Sequence, residues 1–156
     1  MIKIVIFRLK REKIMQLTLA GEYAIRTMIH LAENESEKTI TIFDISRTQE
    51  IPEMFLRKII PLLSSAGFIK TRKGKQGGVS LAKNPNSVTP LEIIQAVEGP
   101  IALNKCLIDK EFCTDIRWCS VHTIWCELLV EMKKKLSSKT IMQIAVESNK
   151  RRNSLK

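Results

Sequence analysis

The sequence predicts a mainly α-helical fold with a small β-hairpin wing: a winged helix-turn-helix followed by a long C-terminal dimerisation helix. Three observations lead there. Apolar residues recur at helical spacing through most of the chain. A single glycine-rich, basic segment separates two short β-type runs near the middle. Near the C-terminal end, an apolar stripe runs further than a domain of 156 residues needs for its own core.

The elements follow in order. Thr18 is placed to cap a first helix, and Glu22 in the next turn suits the helix dipole. Leu19, Ala20, Tyr23, Ala24, Met28, Leu31 and Ala32 repeat with helical period until the polar stretch 34–38. A short helix is expected over about 42–49, with Ile42, Ile45 and Phe43 facing inward. Pro52 suits the opening of a third helix to about residue 66, buried through Leu56, Ile59, Ile60 and Leu63. Pro61 should kink or split that helix, and Gly67 ends it. Residues 68–72 and 79–82 read as paired strands around the turn 74–78.

A connector over 84–90 leads to a helix capped by Thr89 and closed at Gly99-Pro100. Residues 101–118 have no sustained period. From Cys119 a long helix carries Val121, Ile124, Trp125, Leu128, Leu129, Met132 and Leu136 on one side. Dimerisation through that side is the economical reading, with packing back on its own domain as the alternative. A short helix from Ile141 and a disordered basic tail complete the chain. The domain reading is therefore 1–14, a disordered extension or start-site artefact; 15–84, the winged helix-turn-helix; 85–147, an irregular loop with dimer helices; and 148–156, the tail.

A net charge of +10 points to a polyanion, either nucleic acid or an acidic membrane surface. Residues 70–83 contain Lys70, Arg72, Lys73, Lys75 and Lys83 without an acid, and other basic blocks lie at 133–135 and 150–152. The first block occupies the hairpin, where glycines let backbone approach phosphates. Double-stranded DNA is thus the expected partner, with no small-molecule substrate. Met54, Arg57 and Lys58 of the third helix are candidates for base-edge contacts, with Thr48 and Gln49 in support. Lys70, Arg72, Lys73 and Lys75 would position the backbone. No apolar run approaches the ~20 residues of a membrane span. The expected setting is cytoplasmic.

All four cysteines, Cys106, Cys113, Cys119 and Cys126, lie within one short stretch with His122. In a reducing compartment such grouping suggests metal or redox chemistry. Only Cys119 and His122 have the close spacing of a structural zinc site. Thiolates spread over an irregular loop suit a multi-iron centre, which needs ligands from several directions. On a helix, Cys119, His122 and Cys126 share a face, so either of the latter two could join Cys119 on one ion. Zinc, inert buried thiols and a metal-free thiol–disulfide switch remain as alternatives.

These features carry a family likeness from Met15 to about Ala145. Its marks are Leu17-Thr18, Gly21 and Tyr23-Ala24; Phe55-Leu56; Ala66-Gly67, Gly74 and Gly77-Gly78; Ile93-Ile94 and Val97-Glu98-Gly99; and Cys119-Ser120-Val121-His122 with Trp125. The chain resembles the IscR/NsrR family of winged-helix iron–sulfur transcription regulators. The resemblance implies a homodimeric regulator or repressor of palindromic promoter sites, not an enzyme. It implies an iron–sulfur cofactor, in particular [2Fe–2S], on Cys106, Cys113, Cys119 and His122. Glu22 of the partner chain is the rival fourth ligand, and that choice would favour nitric-oxide or redox sensing. Lys73 and Val79 depart from the arginine and aromatic residue of many relatives, Arg57 from the acid of one branch, and Cys126 lies outside the usual ligand set. Two readings from other classes are a thiol oxidoreductase using Cys119 and Cys126, and a membrane-associated basic protein using residues 1–14. His30 is expected at the surface or an interface.

Overall fold

The computed structural model describes residues 18–155 except 37–38, 75–76, 110, 112 and 114–115. The expected extension 1–14, and Lys75 of the wing, lie outside the described residues. Six α-helices and one two-stranded sheet are described: α1 Leu19–Glu33, α2 Ile42–Gln49, α3 Glu53–Ser65, β1 Ile69–Arg72, β2 Gly78–Leu81, α4 Pro90–Glu98, α5 Ser120–Leu136 and α6 Ile141–Ser154.

Local chemistry sets the helix starts. The Thr18 hydroxyl oxygen accepts from the Gly21 amide and donates to Glu98 Oε1 at 2.5 Å, joining the first turn of α1 to the end of α4. Thr41 caps α2 by accepting from Asp44 N–H. Pro52 sits at the cap position rather than inside α3. The third helix is not split by Pro61. The missing proline N–H would have met the carbonyl of Arg57; both residues are exposed, so solvent can take that carbonyl. Gly67 then adopts φ 76°, which suits a residue without Cβ, and Phe68 N–H closes on Leu63 C=O.

The strands pair antiparallel, with Ile69 opposite Leu81 and Arg72 opposite Gly78. Ile40 adds an isolated bridge to Val79, exchanging hydrogen bonds of 2.9 and 2.8 Å. The wing is thereby anchored to the segment just before α2, a contact the sequence reading did not foresee.

Phe43 corrects a second expectation. Ile45 is buried and Ile42 half-buried, but Phe43 is 55% exposed. At about 100° per residue, Ile45, Ile42 and Phe43 span an arc of about 160°, wider than the roughly 100° stripe a short helix buries, so Phe43 at its edge is left outside. His30 is also not superficial: it is 8% exposed, on the α1 face shared with buried Thr27 and half-buried Tyr23.

One apolar core joins the winged module to the later helices. Met28, Leu31, Ile45, Leu56, Ile59, Leu63 and Val79 cluster with Val88, Ile93, Ile141 and Ala145. Helix α1 packs on α3, α4 and α6. The stretch after residue 148, expected to be disordered, continues α6 to Ser154. A Thr140–Gln143 capping box starts that helix, Lys139 pairs with Glu147 at 2.7 Å, and Arg152 pairs with Glu33. Packing of Ile141 and Ala145 against the core gives it a support that its polar sequence does not advertise.

Helix α4 opens with a full capping box. Thr89 N–H donates to Glu92 Oε2 at 2.8 Å, Glu92 N–H donates to Thr89 Oγ1, and Lys83 stands 3.3 Å from Glu92 Oε1. Burial pushes the Glu92 pKa up, but the hydrogen bonds from Thr89 and Lys83 outweigh it and hold the carboxyl below its ordinary value. A depressed carboxyl stabilises the fold above its unfolded pKa, and that support is lost as pH falls through the folded value. Thr89→Ala should cost about 1 kcal/mol at neutral pH. In urea unfolding, the difference from wild type should narrow as Glu92 protonates in acid.

Candidate nucleic-acid interface and cysteine cluster

The outer face of α3 presents Met54, 60% exposed, with Arg57 and Lys58 also exposed. Their positions follow from the buried stripe: the turns that send Leu56, Ile59 and Ile60 inward leave 54, 57 and 58 outside. Arg57 donates to Glu53 Oε2 at 2.9 Å, one turn earlier. Lys70, Arg72 and Lys73 are exposed along the wing. Thr48 is exposed, though its hydroxyl donates to Asp44 C=O at 2.7 Å.

Gln49 is differently employed. Its side-chain nitrogen lies 3.1 Å from His30 Nδ1, and its carbonyl accepts from Arg26. The left-handed Glu50 (φ 51°) follows directly. Arg26 and His30 of α1 therefore hold the turn between α2 and α3, and with it the angle of α3. Sequence reasoning missed both; the signal available was their spacing on the α1 face that carries Tyr23 and Thr27.

The second assembly begins at the N-terminus of α5. Cys106 lies in the single-turn helix Lys105–Leu107, which packs on α5. Cys119 is the residue before α5 and makes no side-chain cap there. His122, in the first turn, has Nδ1 3.5 Å from Cys106 Sγ and Nε2 3.4 Å from Cys126 Sγ. Cys106, Cys113, Cys119 and Cys126 are all half-buried free thiols. Glu22 is exposed in α1, 3.5 Å from Arg26. The donor types fit a thiophilic metal or an iron–sulfur centre: three thiols on or beside one irregular segment, with an imidazole next to one of them. Their arrangement is open. Among the described residues, no three Cys, His, Asp or Glu side chains are gathered as a metal cage.

No residue of α5 is buried. Val121, Ile124 and Leu128 are about half exposed, while Trp125, Leu129, Met132 and Leu136 are half-buried. Among the described residues, no helix is long and apolar enough to cross a membrane.

Comparison with known proteins decides the family. A family model described as "Rrf2: Iron-dependent Transcriptional regulator" matches residues 17–147. The chain belongs to the Rrf2 family. It is similar to Protein rrf2 of Nitratidesulfovibrio vulgaris, 30% identical over 83% of this chain and 87% of that protein. The transcriptional regulator IscR of Aliivibrio salmonicida is 28% identical over 86% of this chain and 79% of its own length. Among solved structures, CymR, named the global cysteine regulator of Bacillus subtilis, superposes with a TM-score of 0.71 at 25% identity, covering 86% of this chain and 98% of that one. The Rrf2 membership agrees with the regulator family read from the wing and cysteine motifs. Curated relatives bear the names of transcription regulators, not of enzymes. The mainly helical architecture with its small antiparallel sheet is that of Rrf2 winged-helix regulators.

Proposed function

We propose that this Rrf2 regulator binds promoter DNA as a homodimer and that an iron–sulfur cluster on its cysteine segment sets its DNA affinity. The single observation carrying this reading is the junction at Cys119. Cys119, one of the candidate ligands, is also the residue from which α5 starts, and the apolar stripe of that helix is half exposed and suited to a second copy. A change in the 106–122 segment would bear directly on the spacing of two reading heads.

Cys106, Cys113 and Cys119 would hold the cluster, with His122 as fourth ligand or Glu22 from the partner chain in its place. When bound, such a centre supplies one-electron redox chemistry and lability toward oxidants. The chain's own residues do the rest. Cys106 places the single-turn helix against α5 beside His122, whose imidazole has Cys106 at Nδ1 and Cys126 at Nε2. Arg57 and Lys58 would enter the major groove, and Lys70, Arg72 and Lys73 would lie along phosphates. Coupling of 1–3 kcal/mol between the two sites changes affinity about 5- to 150-fold.

A second reading has its own support. His122 lies within contact of two half-buried free thiols, so a metal-free thiol switch would use the same segment. Anaerobic purification followed by iron, sulfide and zinc analysis, with DNA binding of loaded and stripped protein, separates the two. Coloured protein containing iron and sulfide, whose DNA affinity shifts on stripping, is expected. Colourless protein that binds DNA and responds only to thiol oxidants would establish the second reading instead.

A further inference from the structure

The side chain that the core refuses is the most informative feature of the reading head. Phe43 is the second residue of an eight-residue helix and more than half exposed. It does not face open solvent alone. It borders a cleft whose other walls include Glu53 and Arg57 of α3 and Arg72, Gly74 and Gly77 at the wing. The Arg47 guanidinium lies 5.7 Å from the centre of the Phe43 ring. The charge around the ring is mainly positive: Arg57 and Arg72 line the cleft, Arg47 flanks the ring from outside it, and the Glu53 carboxylate is paired with Arg57. A surface that met only phosphates would have no use for an aromatic ring among those arginines.

Duplex DNA offers one apolar group on its base edges, the C5-methyl of thymine in the major groove. We infer that Phe43 is a specificity-determining residue whose ring packs on the methyl group of a thymine beside the footprint of α3. Arg47 contributes by keeping positive charge at the ring's face, where a neighbouring phosphate would meet it. The inference rests on the DNA-binding reading above and adds a sequence preference to it.

The test uses the full chain and a duplex selected from a random library by the wild-type protein. Each thymine is replaced singly by deoxyuridine, which removes the methyl and leaves the pairing intact. Wild type is expected to lose about fourfold in affinity at one thymine, the effect of about one methyl group taken from water. Phe43→Ala should bind the parent duplex more weakly and show no further loss with deoxyuridine there; Phe43→Leu should retain part of the discrimination. Unchanged thermal unfolding of both variants would show that the fold is intact, as expected for an exposed side chain. If deoxyuridine has no effect at any position, or the same effect in Phe43→Ala, the inference is overturned while DNA binding stands. If no duplex is selected at all, both fall.

Discussion

Raising monovalent salt from 50 to 200 mM is expected to weaken DNA binding by about a thousandfold or more. The expectation follows from the layout of the charge. Lys58 on α3 and Lys70, Arg72 and Lys73 on the wing are all exposed on the reading module, and Arg57 joins them beside Glu53. A dimer carrying two such heads would make roughly 6–10 phosphate contacts, and each releases condensed counterions. Anisotropy titrations at four salt concentrations would measure the slope. A nearly flat line would remove DNA as the partner. Lys70→Ala should reduce the slope by about one contact per head without altering the preferred sequence, because a phosphate contact carries no base information. Met54→Ala should do the reverse, leaving the slope and relaxing sequence preference.

The second large effect concerns the cysteines. Cys106→Ala, Cys113→Ala and Cys119→Ala should each yield colourless protein after anaerobic purification. Their DNA affinity should match that of stripped wild type and differ from the loaded form by about 5- to 150-fold. Cys126→Ala should keep its iron and colour, because this thiol lies one turn further along α5, on the other side of His122. His122→Ala separates the candidates for the fourth position: retained iron would favour Glu22 of the partner chain, lost iron His122. Far-ultraviolet circular dichroism controls for folding, which these substitutions should spare since none of the residues is fully buried. Iron retained in all three cysteine variants would end the cluster reading.

Some of this architecture was legible because it depends on neighbours in the chain. Thr18 and Thr89, expected as caps, and Thr41 and Thr140, which were not, each stand before a helix and accept from the amide three residues on, a contact set by local geometry. The buried stripe of α3 appeared as predicted because Leu56, Ile59, Ile60 and Leu63 share a helical face whatever that face meets. The hairpin followed from glycines between short β-type runs. What misled the reading was context. Pro61 signals a break, yet its lost hydrogen bond falls on the exposed side. The polar stretch after Ser148 signals disorder, yet α6 is held from its N-terminal end by Ile141 and Ala145 and further along by Arg152 against Glu33.

By itself, then, the order of residues determined the helix starts, the inward stripes, the wing and the crowding of thiols on one segment, because each arises from interactions over a few residues. Tertiary structure decided which ambiguous side chains went inside. It buried His30 beside Gln49, turned Phe43 out toward the cleft, bridged Ile40 to the wing, and set His122 between Cys106 and Cys126. Those outcomes depend on which surfaces remain once the helices have packed. A competition for burial among distant segments leaves no periodic trace along the chain.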